Sequence, residues 1–361
     1  MHLLTSLSAH GWHPAAWRVS GAAGFEGIAP FKAMARLAER GGLDAVLLGL
    51  PGDRLHLDPL PLLGALIGAT ERIGLCGYWP CDVAEPYHVA RVFATLDHLA
   101  DGRTGWIAGL AGPEALAAKF QRLDLPVTPA DMAARMVELI DVARQLWDSW
   151  EDEGFVVDQA TGAFANPEKV HPIDHAGRFF TVRGPLNVPR PVQGQPVILY
   201  RDAGPAEARA GVAASAEIVL AECATLAEAQ ACRREWQALA LKQGRAPGAL
   251  RFVVHVMPIL ADIDAAAERR AAELDGLAPG SRNLRFIGTP QKFAAWMSEW
   301  QAAEACDGFD ILPAIGAIDL AHVVNAVVPE LRRLGLRPVG YGGHSLRAVL
   351  GLQRAASRFA A

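Results

Sequence analysis

The sequence predicts an α/β protein, a (β/α)8 TIM barrel, and three observations lead there. Short apolar runs alternate with helix-period segments from one end of the chain to the other. Eight such units follow in order. The runs are apolar throughout rather than alternating, as strands must be when both faces of a parallel sheet are covered. The competing architecture is an open doubly wound sheet, but no Gly-x-Gly-x-x-Gly follows the first strand.

Residues 3–7 read as the first strand. Residues 30–40 form a helix with Phe31, Met34, Ala35 and Ala38 on one face, and Gly41-Gly42 supplies its left-handed C-cap. Asp44 leads into a strand over 45–50, a helix spans 60–70, and the third strand covers 73–78. Glu85-Pro86 opens the next helix, with proline in the first turn and an acid at the positive end of the dipole. Gly102 ends it. The fourth strand is 104–110 and the fourth helix 129–150. Strands over 196–200, 217–221 and 250–260 follow, with helices near 206–214 and 226–243. A helix over 264–274 comes next; Thr289-Pro290 then caps a helix over 291–303, before the eighth strand (309–315) and eighth helix (320–334).

Two segments exceed what a compact repeat needs. A long insertion, about 151–195, follows the fourth β/α unit and is expected to roof the open end of the barrel. A second, about 275–290, precedes the eighth. Residues 1–340 read as a single barrel and 341–361 as a C-terminal arm or extra helix.

Half of the 361 residues are hydrophobic, enough for a large core. The net charge of −5 and scattered basic residues argue against a nucleic-acid partner. No run reaches the ~18 apolar residues of a membrane span, and the start lacks a signal peptide's positive region, so a cytoplasmic protein is expected. The five cysteines fit no zinc or redox spacing and read as reduced thiols. His171, Asp174 and His175 suggest metal ligands, but no fourth ligand stands at a sensible spacing, so no metal is expected.

Several motifs together resemble the bacterial-luciferase-like flavin monooxygenases, in the branch of the nitrilotriacetate, alkane and dibenzothiophene-sulfone monooxygenases. They include Gly11-Trp12-His13-Pro14, Ala38-Glu39-Arg40-Gly41, Thr70-Glu71-Arg72-Ile73-Gly74-Leu75 and Glu85-Pro86-Tyr87-His88. Leu96-Asp97-His98-Leu99 and Gly102-Arg103-Thr104-Gly105-Trp106 continue the pattern. Leu146-Trp147-Asp148-Ser149-Trp150-Glu151-Asp152, Arg183-Gly184-Pro185-Leu186-Asn187-Val188-Pro189-Arg190-Pro191 and Asp307-Gly308-Phe309 complete it.

The resemblance implies reduced FMN from a separate flavin reductase, bound at the C-terminal mouth, with oxygen and a small organic substrate. It also implies a homodimer. Against the family pattern, Leu50 stands where an acid is usual, and Tyr78-Trp79-Pro80-Cys81-Asp82 replaces a Thr/Ser-rich stretch. Ile107-Ala108-Gly109-Leu110-Ala111 replaces a polar strand end, Pro129 and Ala133 replace a His and a Tyr, and Pro205-Ala206 replaces a Ser pair. Three readings stay open: a monooxygenase with Arg201 supplying the phosphate charge, a non-catalytic partner of an intact paralogue, or a barrel repurposed for another ligand. The candidate cofactor-pocket residues are Tyr78, Trp79, Trp106, Tyr200 and Arg201, and His13 is the candidate proton donor.

Overall fold

The computed structural model describes residues 1–19, 27–51, 57–111, 128–280 and 284–359. Eight parallel strands form the barrel: β1 (His2–Ser6), β2 (Ala45–Leu48), β3 (Gly74–Pro80), β4 (Thr104–Gly109), β5 (Val197–Arg201), β6 (Ile218–Ala221), β7 (Arg251–Leu260) and β8 (Gly308–Ile311). Neighbours in sequence are neighbours in space, from Leu4 beside Ala45 to Gly105 beside Val197. The β6–β7 and β8–β1 pairs close the ring, with Ile218 beside Arg251 and His2 beside Gly308.

One set of alternate residues fills the barrel with Leu4, Leu47, Cys76, Ile107, Leu199, Leu220 and Val253. The other set packs outward against the helices. Gly105 is required inside, because a Cβ there would lie 2.7 Å from Cys76 Sγ and 2.9 Å from Leu199 Cδ1. The helix Ala29–Gly41 buries Phe31, Met34, Ala35 and Ala38 and ends on left-handed Gly42 (φ 72°). Its Glu39 accepts the backbone N–H groups of Glu71, Arg72 and Ile73 at 2.8, 2.6 and 3.0 Å, so the Ala-Glu-Arg-Gly motif clamps the turn into β3.

The last helix begins at Gly316, earlier than expected, and contains a π-helical turn over Val323–Val327. Pro329, lying just beyond, cannot donate to the preceding turn, and the wider turn accommodates that gap.

The first insertion does not cover the mouth. A helix that follows a barrel strand starts at the mouth and runs back to the opposite end, so a segment following the fourth helix begins at the N-terminal end. Residues 151–195 then lie along the outside of helices Pro86–Leu99 and Pro129–Asp148. Glu138 accepts from the Phe179 and Phe180 N–H groups and pairs with His175, Tyr87 donates to Asn187 at 3.3 Å, and Trp150 donates to the Leu186 carbonyl. Buried Arg190 pairs with Asp148 at 3.1 Å and also with Asp152.

What reaches the mouth is the second insertion together with the helix that leads into it. Helix Asp264–Leu277 and an unexpected strand, Arg285–Gly288, lie there, the strand pairing with the distal half of β7 from Met257 to Leu260. Ala271 and Leu274 pack on Met257, Ile259 and Leu312.

At the other end, the short helix Leu346–Val349 inserts Leu346 and Leu350 into the same apolar cluster that fills the barrel. Arg347 beside them pairs with both Glu217 oxygens. Among the described residues no helix is long and apolar enough to cross a membrane, and no group of three metal-ligating side chains occurs. His171 instead pairs with Glu151 at 2.9 Å. All five cysteines are unpaired.

Candidate functional site at the barrel mouth

Strand alternation decides which candidate residues face the interior, because adjacent residues point to opposite faces. Tyr78 belongs to the cluster inside the barrel, so Trp79 turns outward, toward Phe93. Trp106 is fully buried in the outer layer between Phe93 and Trp147, and its indole donates to the Trp79 carbonyl. Tyr200 packs outward on Trp236, leaving its neighbour Arg201 to face the mouth. Of the five expected pocket residues, the structure therefore brings Tyr78 and Arg201 together at the mouth. Trp79, Trp106 and Tyr200 lie in the helical layer.

His13 is 2 % exposed in the loop after β1. Its Nδ1 accepts the Ala15 N–H at 3.1 Å, so the proton sits on Nε2, which donates to Asp275 at 3.1 Å. Both ring nitrogens are thus engaged, Nδ1 within the β1 loop and Nε2 in tying that loop to helix Asp264–Leu277. Burial works against the Asp275 carboxylate, but hydrogen bonds from Arg285 and His13 hold its pKa below the usual range. Gly11 in the same loop has φ +120°, and a Cβ there would lie 2.6 Å from Gly316 N; only glycine permits this zip to the loop after β8.

Three inward polar residues went unnoticed in the sequence. Ser6 donates to Asp310 Oδ2 at 2.6 Å, and His255 Nδ1 meets the same oxygen at 2.7 Å. All three are at least 95 % buried, and Asp310 Oδ1 is buried with no hydrogen-bond partner. The Tyr78 hydroxyl is likewise buried without a partner, and burial pushes its pKa up. The missed signal was a polar residue at the inward position of an otherwise apolar strand: Ser6 two after Leu4, His255 two after Val253.

On the β5 and β6 side the mouth is acidic. Arg201 pairs at 2.8 Å with Glu222 across the strands, not with neighbouring Asp202. Asp202 instead receives Arg209 at 3.0 Å and the Trp236 indole at 2.9 Å. Arg209 also pairs with Glu235, and Glu207 opens the short helix after β5. Among the described residues, two arginines, both paired, thus face four carboxylates around the loop where the family resemblance would place a flavin phosphate. A phosphate monoester there brings about −1.5 to −2 charges. Pro205 offers no N–H, and Ala206 has no hydroxyl. The residues present do not fit FMN held in that manner. Leu50, 3 % exposed, and Ala133, 2 % exposed, are packed in apolar clusters.

The sequence pattern of the luciferase-like monooxygenases matches residues 6–308. The chain is 30 % identical to the N-acetyl-S-(2-succino)cysteine monooxygenase of Bacillus subtilis (strain 168), covering 98 % of this chain and 97 % of that protein. It is 33 % identical to nitrilotriacetate monooxygenase component A of Aminobacter aminovorans, over 91 % of this chain and 85 % of that one. Among solved structures, EDTA monooxygenase from Chelativorans sp. BNC1 superposes with a TM-score of 0.87 at 27 % identity, covering 98 % of both chains.

Proposed function

The chain belongs to the luciferase-like monooxygenase family, and on that premise we propose that it binds a small hydrogen-bond-donating organic molecule in its barrel mouth without seating FMN in the family's phosphate cradle. The observation that carries this reading is the acid excess after β5, where Arg201 and Arg209 are both neutralised by carboxylates.

The inward groups favour the same ligand class. Asp310 Oδ2 accepts hydrogen bonds from Ser6 and from His255 Nδ1, which leaves a Ser6 lone pair and Asp310 Oδ1 as acceptors. With Glu222 opposite, the mouth suits an amine or a hydroxyl-rich molecule better than a phosphate. In this reading His13 positions the rim through Asp275 rather than passing a proton. The protein then works as a repurposed ligand-binding member or as the partner of an intact catalytic paralogue, in the cytoplasm and as a homodimer.

One observation favours a second reading, an FMNH2- and oxygen-dependent monooxygenase of a small organic substrate supplied by a separate reductase. The likeness to monooxygenases extends over nearly the whole chain. In that case Arg201 releases Glu222 to meet the phosphate.

Anaerobic calorimetry with FMN and FMNH2 separates the two. The first reading expects no saturable heat up to millimolar flavin. Micromolar binding of either form overturns it.

A further inference from the structure

A cavity of about 680 Å3 opens at the opposite end of the barrel from the mouth, where β5, β6 and β7 begin and the C-terminal segment crosses. Five arginines line it, Arg144, Arg245, Arg251, Arg347 and Arg354, against the single carboxylate of Glu217. Two of the five are neutralised: Arg347 by Glu217, and Arg354 by Asp152.

The other three have only neutral partners among the described residues. Arg144 donates to the Gln195 side-chain carbonyl at 2.9 Å and to Ser215 Oγ at 3.1 Å. Arg245 donates to the carbonyls of Ala213, Ala216 and Ala249. Arg251 donates to the Gly248 carbonyl at 2.6 Å, and its Nε is buried with no partner. Burial lowers the pKa of both Arg144 and Arg245, outweighing the opposing pull of the nearby Glu217 charge, and the neighbouring Arg144 and Arg347 charges lower Arg245 further.

These three guanidinium groups are partly exposed, and Glu217 is the one carboxylate that faces them in the cavity lining, so positive charge is in excess there. Planar guanidinium forks match phosphate and carboxylate oxygens two at a time. The cavity volume falls in the range of small-molecule sites, roughly 300–1,000 Å3. We propose that this cavity is a second ligand site, taking a small polyanion whose phosphate or carboxylate groups meet Arg144, Arg245 and Arg251. The Gly351 carbonyl accepts from Arg251, so an occupant also ties down the C-terminal segment.

The test is calorimetry on the full chain in low-salt buffer, where exposed charges are least screened. Pyrophosphate and malonate are titrated in separate arms, with sodium chloride at matched ionic strength as control. Saturable binding of pyrophosphate, malonate or both is expected, and the two arms tell phosphate from carboxylate recognition. Arg144→Gln and Arg251→Gln should each weaken it roughly tenfold, the loss of one charge-assisted contact. Arg333→Gln, on the surface away from the cavity, should leave it unchanged. Arg251 holds only loop carbonyls, so its variant remains informative if Arg144→Gln fails to fold. Wild-type protein that binds neither polyanion overturns the proposal, as does wild-type affinity in Arg251→Gln.

Discussion

At the residue scale, charge pairing controls what the mouth accepts. Glu222→Gln removes one carboxylate and releases Arg201, and should bring FMN binding, absent in the wild type up to millimolar flavin, into the range read as quenching of flavin fluorescence. Equal affinity in the variant would show that Glu222 does not set the discrimination. The buried pair Arg190–Asp148 gives a stability prediction. Arg190→Met removes the buried ion-pair partner of Asp148, leaving it Gln195 at 2.8 Å and the half-exposed Arg358 at 3.9 Å, and should cost about 3 kcal/mol in urea unfolding. Asp152 gives a pH prediction. Arg354 and Arg190 hold its carboxyl at about 2, well below the usual carboxylate range. A depressed acid stabilises the fold above its unfolded pKa, so this contribution is complete above about pH 4 and fades as pH falls toward 2. Acid unfolding followed by circular dichroism should be less steep over that window in Asp152→Asn. Asp152 is half-exposed, so the change is modest.

At the scale of elements, the two insertions and the tail exchange the roles their lengths suggest. The long insertion is a brace outside the fourth helix, and helix Asp264–Leu277, which leads into the shorter one, shapes the rim. The end of the chain plugs the barrel floor with Leu346 and Leu350. Leu346→Ala should therefore cost about 2–5 kcal/mol, as large-to-small changes in a packed core do. Trp106→Ala, in the outer layer between Phe93 and Trp147, should cost about 3–5 kcal/mol and leave ligand affinity at the mouth unchanged. A Trp106→Ala protein that folds but loses mouth binding would return that residue to the pocket.

At the scale of the molecule, family membership and site chemistry separate. Many of the motifs that identify the family are clamps of the scaffold. Glu39 holds the turn before β3, Asp97 accepts from Thr104 and Gln193, and Arg190 ties the brace to Asp148 and Asp152. None of these faces the mouth, so they persist whatever the mouth binds. The hairpin of Phe155–Asp158 and Ala163–Ala165 leaves Phe155, Val156, Val157 and Phe164 exposed, an apolar edge suited to a second copy. Sedimentation should show a dimer that Phe164→Ser weakens; an unchanged mass would remove this edge from the interface.

The barrel, its eight strands in order and the helix caps were legible in the sequence, because apolar runs, helical spacing and Gly or Pro punctuation are local properties. Tertiary structure decided where side chains face and what they pair with. Alternation turned Trp79, Trp106 and Tyr200 outward and brought Ser6, His255 and Asp310 inward, with Ser6 304 and His255 55 residues from Asp310 in the chain. Arg201 found Glu222, and three arginines met at the barrel floor without a carboxylate of their own. Such pairings depend on distances that only closing the barrel creates.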